Sequence, residues 1–387
     1  MIVDCIDDVL GTLTYIQGRK TLLVPIFCSP SLHVTVNSLC AIYIYTEDDI
    51  ERLIPIRHTE QLRGFPEHVS AFLESENIFV HDKKQWLQIG GNGSVLDVKT
   101  LWWYTYNEAY DEGHYPTAAH QFYWRRHQGL AQVNSIVPLQ QHLAMCQKIR
   151  HYAWPMCMNA EQTDSYLQFN ATYPQVFATI EHVGLQVDET FRMPELVKDN
   201  KVYSQYNYYT MTGRPSNAYR GFNFAAMNKE DGTRAAFCSE SKQITFRLLY
   251  GGIDSEFLSI PFFQRVNAFV YELWAKWKAK GRIETPILKR PITKDMVKNM
   301  TANKLFNYYL QATETEVSVQ KLQQVQNILK ERETVMILYT YDSVLFDVPV
   351  TEAKELLPQI KKVLEQGNFP TKVKVGNIYD KIKTISL

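Results

Sequence analysis

Two apolar runs near the C-terminal end, Val335-Met-Ile-Leu-Tyr-Thr-Tyr and Val344-Leu-Phe-Asp-Val, are separated only by Asp342-Ser343. Runs of β-branched and aromatic residues at that spacing predict a β-hairpin, although Asp-Ser is not the strongest turn pair. Helical periodicity flanks it. Over 302–331 the apolar positions are Leu305, Tyr308, Ala312, Val319 and Leu322; after Pro349 they are Ala353, Leu356, Leu357, Ile360, Val363 and Leu364. A last strand is expected at Lys372-Val-Lys-Val. These elements together predict an antiparallel α+β layer with Asp342 at the tip of its hairpin. A carboxylate held there by two strands suits Mg²⁺, which takes one or two protein carboxylates plus phosphate oxygens, and equally suits a plain turn.

The chain has 387 residues, enough for two to three domains, and 45% hydrophobic content excludes wholesale disorder. No apolar stretch reaches the roughly 18 residues that a membrane helix needs. The opening Met1-Ile-Val-Asp-Cys-Ile-Asp-Asp is acidic where a secretory signal would be basic. Cys5, Cys28, Cys40, Cys146, Cys157 and Cys238 form no C-x-x-C pair, so a soluble protein of a reducing cytoplasm is expected. Net charge is zero, but residues 1–240 carry 19 Lys and Arg against 26 Asp and Glu, and the excess reverses beyond them. Between Lys276 and Lys304 nine basic residues meet two acids, a candidate phosphate-binding surface or a solvated helix face.

Upstream, 13–16, 21–27, 41–45, 53–56 and 78–81 read as strands, and 66–74, 97–110 and 135–154 as helices, an α/β arrangement ending near residue 155. A connector with one helix at 173–183 follows, then Tyr-rich extended chain at 202–210 and helices at 241–250 and 261–280. The tyrosines at 203, 206, 208 and 209 read as a packed strand rather than a stacking platform. His142 and Cys146 have the spacing of paired metal ligands, yet lack a third partner and read as packing. Tyr123-Trp-Arg-Arg-His suits either single-stranded nucleic acid or a packed loop.

The run Leu338-Tyr-Thr-Tyr-Asp-Ser-Val-Leu-Phe-Asp-Val-Pro resembles motif C of the family A DNA polymerases, those of bacteriophages especially. Lys242-Gln-Ile-Thr-Phe-Arg-Leu-Leu-Tyr-Gly-Gly has the K-x-x-x-F-x-x-x-Y-G spacing of their motif B, and Thr212-Gly-Arg-Pro-Ser-Asn looks like their primer–template grip. Gly281-Arg-Ile-Glu-Thr-Pro and the pair Asn307 and Gln311 fall in matching order over 202–380. The resemblance implies that Lys242 neutralises the triphosphate of an incoming deoxynucleotide and that Tyr250 packs at the template base or sugar. It implies that Arg214 holds a duplex phosphate, that Asn307 and Gln311 reach the minor groove, and that Asp342 binds catalytic Mg²⁺. Gly251 and Gly252 would end the motif B helix and admit a strand close by.

The N-terminal region resembles the 3′–5′ exonuclease-like, RNase H-like domain of such polymerases, through Leu73-Glu-Ser-Glu-Asn-Ile-Phe-Val-His-Asp-Lys-Lys-Gln-Trp and Val95-Leu-Asp-Val-Lys-Thr-Leu-Trp-Trp. Trp86 stands where that family has an acid, 21–29 offers no D-x-E pair, and Asp97 matches one remaining carboxylate, so this domain is expected to be inactive. Motif A, the source of the second metal-binding carboxylate, is missing: only Cys238-Ser-Glu-Ser241 precedes Lys242. Without it two-metal catalysis loses a leg, and Glu240 lacks the motif A context.

The expected architecture is α+β: an exonuclease-like domain at 1–155, a connector and reduced thumb at 156–200, and a shortened palm and fingers core at 201–387. The resemblance implies Mg²⁺-dependent nucleotidyl transfer to a primer 3′-hydroxyl in phage DNA replication, in the host cytoplasm, with primer–template DNA and deoxynucleoside triphosphates as partners. The alternative is an inactive remnant that binds primer–template DNA or a partner protein. The sequence leaves oligomeric state open.

Overall fold

The computed structural model describes residues 1–3, 5–27, 39–56, 58, 78–106, 138–187, 197, 199–217, 248, 251–294, 299–341, 343–377 and 382–385. The expected helix at 66–74 and the Tyr123-Trp-Arg-Arg-His segment lie outside them, as does all but Leu248 of the expected helix at 241–250.

Strands β1 (Thr21–Phe27), β2 (Leu39–Thr46), β3 (Glu51–Pro55), β4 (Ile78–Val80) and β5 (Leu96–Asp97) form one mixed sheet in the order β3-β2-β1-β4-β5. The first three pair antiparallel, whereas β4 joins β1, and β5 joins β4, in parallel. Both faces are covered, which is why these strands read as nearly continuous apolar runs. Alternation sorts the side chains: Leu22, Val24, Ile26, Tyr43 and Tyr45 enter one core, and Leu23, Ile42 and Ile44 the other.

The second core is closed by α1 (Ile6–Ile16), which buries Val9, Thr12 and Ile16. Its last turn, 13–16, was expected as a strand. Four apolar-rich residues cannot separate a period of 2 from one of 3.6; the spacing of Val9, Thr12 and Ile16 can, and Asp7 and Asp8 favour a helix N-terminus. Helices α2 (Lys83–Gln88) and α3 (Val98–Tyr106) follow β4 and β5. Trp86 is fully buried in the second core.

Helices α4 (Leu139–Asn159) and α5 (Asp164–Val183) each continue through a proline, Pro155 and Pro174. The α5 helix starts at Thr163, whose side chain accepts from the Tyr166 amide, and ends at Gly184 with φ 69°. It is longer than the expected 173–183 and lies in the interior. Phe169, Tyr173 and Phe177 stack on one another or on Tyr208, and α5 packs against α2, β12 (Val335–Thr340) and α7 (Ala302–Ile328). The first core therefore runs from the sheet through α4 and α5 to Met336, Leu338 and Tyr339 of β12, Val319 and Leu322 of α7, and Leu356 and Ile360 of α8 (Val350–Leu364).

Short ladders punctuate the rest: β6 (Leu185–Gln186) with β7 (Lys201–Val202), and β8 (Tyr206–Asn207) with β9 (Ser216–Asn217). Helix α6 (Pro261–Lys280) precedes the pair β10 (Arg282–Glu284) and β11 (Pro291–Thr293), with Leu273, Trp277, Ile283, Ile292 and Leu305 as a satellite core. Strand β13 (Ser343–Asp347) completes the expected hairpin with β12. After α8, β14 (Val373–Val375) pairs with β15 (Lys383–Ile385), a strand that the sequence reading did not anticipate.

The basic block is not one surface. Lys276 pairs with Glu272 at 2.6 Å and Arg282 with Glu284, while Arg290 is buried 4.7 Å from the Trp103 ring centre.

Candidate functional site

The hairpin pairs Thr340 with Ser343, so its two-residue turn is Tyr341-Asp342, one position earlier than the sequence spacing suggests. Two-residue hairpin turns match the right-handed twist of their strands when central residues adopt positive φ, and Tyr341 does so at 55°. Asp342, Lys242 and Tyr250 lie outside the described residues. Their neighbours define the site.

Arg214 sits over the Tyr341 ring, with its guanidinium carbon 3.9 Å from the ring centre. The turn that carries Arg214 is tied internally: the Gly213 amide donates to the Thr210 carbonyl at 2.9 Å, and the Thr210 hydroxyl to the Arg214 carbonyl at 3.0 Å. Gly213 takes φ 68° there, where an L side chain would be strained. The guanidinium also approaches Glu314 of α7 at 3.9 Å, in a pair with both side chains about a third exposed (31% and 38%). Its buried Nε has no acceptor among the described residues. Asn307, Gln311 and Glu314 recur at helical spacing on α7, and the first two are half-buried. The fold thus brings Arg214, the α7 face and the hairpin turn together. Sequence reasoning missed Glu314 and Tyr341, although the step of three from Gln311 would have flagged Glu314.

Gly252, at φ 108°, follows the expected motif B helix. The side chain of Asn303 lies close to it, and that side-chain amide donates to the Gly251 carbonyl at 3.0 Å.

In the N-terminal half a second polar cluster is buried. The Asp97 carboxylate accepts from the Lys99 amide at 3.1 Å, and from the Thr100 and Tyr209 hydroxyls at 2.8 Å each. Asp82 pairs with Lys99 at 3.0 Å, and Lys84 with Glu181 at 2.7 Å. Burial raises Asp97, helped by the charge of Asp82, to about 6. Burial would also raise Asp82, but Lys99 and Lys84 outweigh it and hold that carboxyl low. Asp97 is therefore a capping and strand-tying group, with its oxygens already engaged. His142 and Cys146 are buried, His142 beside Cys40 and His58. Among the described residues no three His, Cys, Asp or Glu side chains group to hold a metal ion.

A pH effect follows from Asp97. Its folded pKa lies above the unfolded carboxylate value near 3.9, so its stabilisation is full below that value and is lost as pH rises through 6. Going from pH 7 to pH 4.5, the native chain should gain stability relative to Asp97→Asn. Urea unfolding of both proteins across that range checks it; parallel pH profiles would contradict it.

No helix among the described residues is long and apolar enough to cross a membrane. No protein-family model matches the sequence, and no curated protein does. Among solved structures the chain is similar to the POL domain of Pol1 from M. smegmatis, in complex with DNA primer-template and dNTP. The TM-score is 0.67 at 12% sequence identity, and the alignment covers 96% of this chain and 96% of that one. Such a likeness, at that identity, speaks to fold: this chain has a polymerase-like fold.

Proposed function

We propose that the chain is a DNA-directed DNA polymerase of family A type, which extends a primer 3′-hydroxyl with deoxynucleoside triphosphates in phage DNA replication. The observation that carries this reading is the meeting of Arg214 with Glu314 of α7 and with Tyr341, the residue before Asp342, within a polymerase-like fold. Arg214 grips the duplex near the primer end, Gln311 and Asn307 lie along its minor groove, and Lys242 and Tyr250 hold the nucleotide.

Asp342 would hold Mg²⁺. The turn offers that one carboxylate, flanked by the Thr340 and Ser343 hydroxyls, which suits one ion shared with a triphosphate. Such an ion would offset charge at the reacting phosphate. The described residues around the turn supply no second carboxylate for a two-ion clamp, because Ser343 follows Asp342 and Glu314 approaches Arg214. That same observation favours the second reading, a remnant that binds primer–template without extending it.

The domain assignment is part of this proposal: residues 1–155 exonuclease-like without nuclease acids, 156–200 a connector and reduced thumb, and 201–387 palm and fingers. The sheet order β3-β2-β1-β4-β5, antiparallel then parallel, supports an RNase H-like reading of the first region.

Fluorescence anisotropy with labelled primer–template tests the DNA grip shared by both readings. Arg214→Ala should weaken binding about tenfold and reduce the salt slope by about one. Glu314→Gln removes a negative charge beside the arginine and should tighten binding a few-fold, about 0.5–1 kcal/mol. Unchanged affinity in Arg214→Ala would remove Arg214 from the DNA interface.

A further inference from the structure

The hydroxyl of Tyr206 makes an unusual pair of bonds. It accepts from the Tyr339 amide at 2.9 Å and donates to the Tyr339 carbonyl at 2.8 Å. Tyr339 lies on β12, three residues before Asp342, and β12 has β13 as its ladder partner on the other edge. Among the described residues no strand pairs with the edge of β12 far from β13, and at Tyr339 one side-chain oxygen does there what a third strand would do. Tyr206 is itself clamped. Its amide donates to a Glu181 carboxylate oxygen and its carbonyl accepts from Lys84 Nζ at 2.6 Å, while Lys84 and Glu181 pair with each other at 2.7 Å. Gln88 donates to the second oxygen of Glu181 at 2.7 Å. A continuous buried chain of contacts therefore leads from α2 through Glu181 of α5 and Tyr206 of β8 to the strand that carries the turn.

We propose that Tyr206 is a positioning residue for the hairpin turn containing Asp342, with Lys84 and Glu181 of the preceding elements holding Tyr206 in place. This rests on the polymerase reading for its consequence, but the positioning itself is a property of the free protein. A role limited to satisfying the β12 edge would cost stability alone. A positioning role adds a kinetic signature, because displacing a reacting group by about 1 Å costs on the order of a hundredfold in rate. It also gives an inactive nuclease-like region a task, as the mount for the palm hairpin.

The test is Tyr206→Phe in the full chain, held at a temperature where circular dichroism shows it folded. Single-turnover nucleotide incorporation should slow by about 10–100-fold while the primer–template Kd stays within about twofold. Hydrogen exchange of the free protein should quicken at the Tyr339 amide and across the turn, and not in β1 or β2. Should Tyr206→Phe fail to fold, Glu181→Gln, which keeps the side-chain shape, should give the same pattern at smaller size. An incorporation rate within twofold of the parent, or unchanged exchange at the turn, overturns the proposal. If the parent itself extends no primer, the polymerase reading has failed, and the exchange measurement alone decides the positioning: faster exchange at the turn supports it, unchanged exchange overturns it.

Discussion

Lys84→Met should lower the unfolding free energy by about 3–5 kcal/mol. The lysine is buried with its ammonium on Glu181 and on the Tyr206 carbonyl, at 2.7 and 2.6 Å. Removing it leaves a buried carboxylate without its cation and a carbonyl without its donor. Desolvation has already been incurred in forming the native pair, so the single variant bears the full loss. The double variant Lys84→Met, Glu181→Leu should recover part of it, since no unpaired charge remains. Recovery is incomplete, because the Tyr206 amide and carbonyl still lack partners. Urea unfolding of the parent, of Lys84→Met and Glu181→Leu singly, and of the double variant gives the coupling directly; a loss under about 1 kcal/mol for Lys84→Met would show that water reaches the pair.

Phe177→Ala should cost about 3–5 kcal/mol, by a different route. Phe177 is fully buried on α5, stacked on Tyr208 with ring centres 5.3 Å apart and close to Tyr206 and Tyr339. Truncation opens a cavity where the helix, the Tyr-rich strand and the hairpin meet, and α5 cannot collapse into it while β12 and α7 hold it on other sides. A double-mutant cycle with Tyr206→Phe should show coupling, because the rings share one cavity. Additive losses would mean that the hairpin packs independently of the aromatic cluster.

The hairpin and the strands β1 to β4 were legible because they are short β-branched and aromatic runs bounded by turn residues, and the helices α6, α7 and α8 because their 3.6-residue periodicity persists over many residues. The window at 13–16 was too short for that, and α1 became clear only through Val9 and Thr12 upstream. Proline misled for a related reason. Pro155 stands just past the end expected for α4, and Pro174 stands in the first turn of the helix expected at 173–183, whereas α5 already begins at Asp164. In both helices burial of the apolar face outweighs the lost backbone bond, as tertiary packing can. The buried charges were the least legible. Lys84 and Glu181 lie 97 residues apart, and nothing local distinguishes them from the surface residues that most lysines and glutamates are.

At the site, Arg214, Asn307 and Gln311 were named from the order of short motifs, and the fold places Arg214 beside the α7 face. Tyr341 as the seat of that arginine was not legible, because it depends on which two residues make the turn. That register is set by pairing along the whole hairpin, including its irregularity between Met336 and Leu338.

Primer extension by the purified chain, with Mg²⁺ and all four deoxynucleotides and with Asp342→Asn beside it, bears most directly on polymerase function. Extension by the parent, with a loss on the order of a thousandfold or more in the variant, is the predicted result. It would direct the search for a second carboxylate to Glu240 and Glu314. Extension by neither protein, with primer–template still bound at low salt, would contradict catalysis and leave a DNA-binding remnant of a polymerase-like fold.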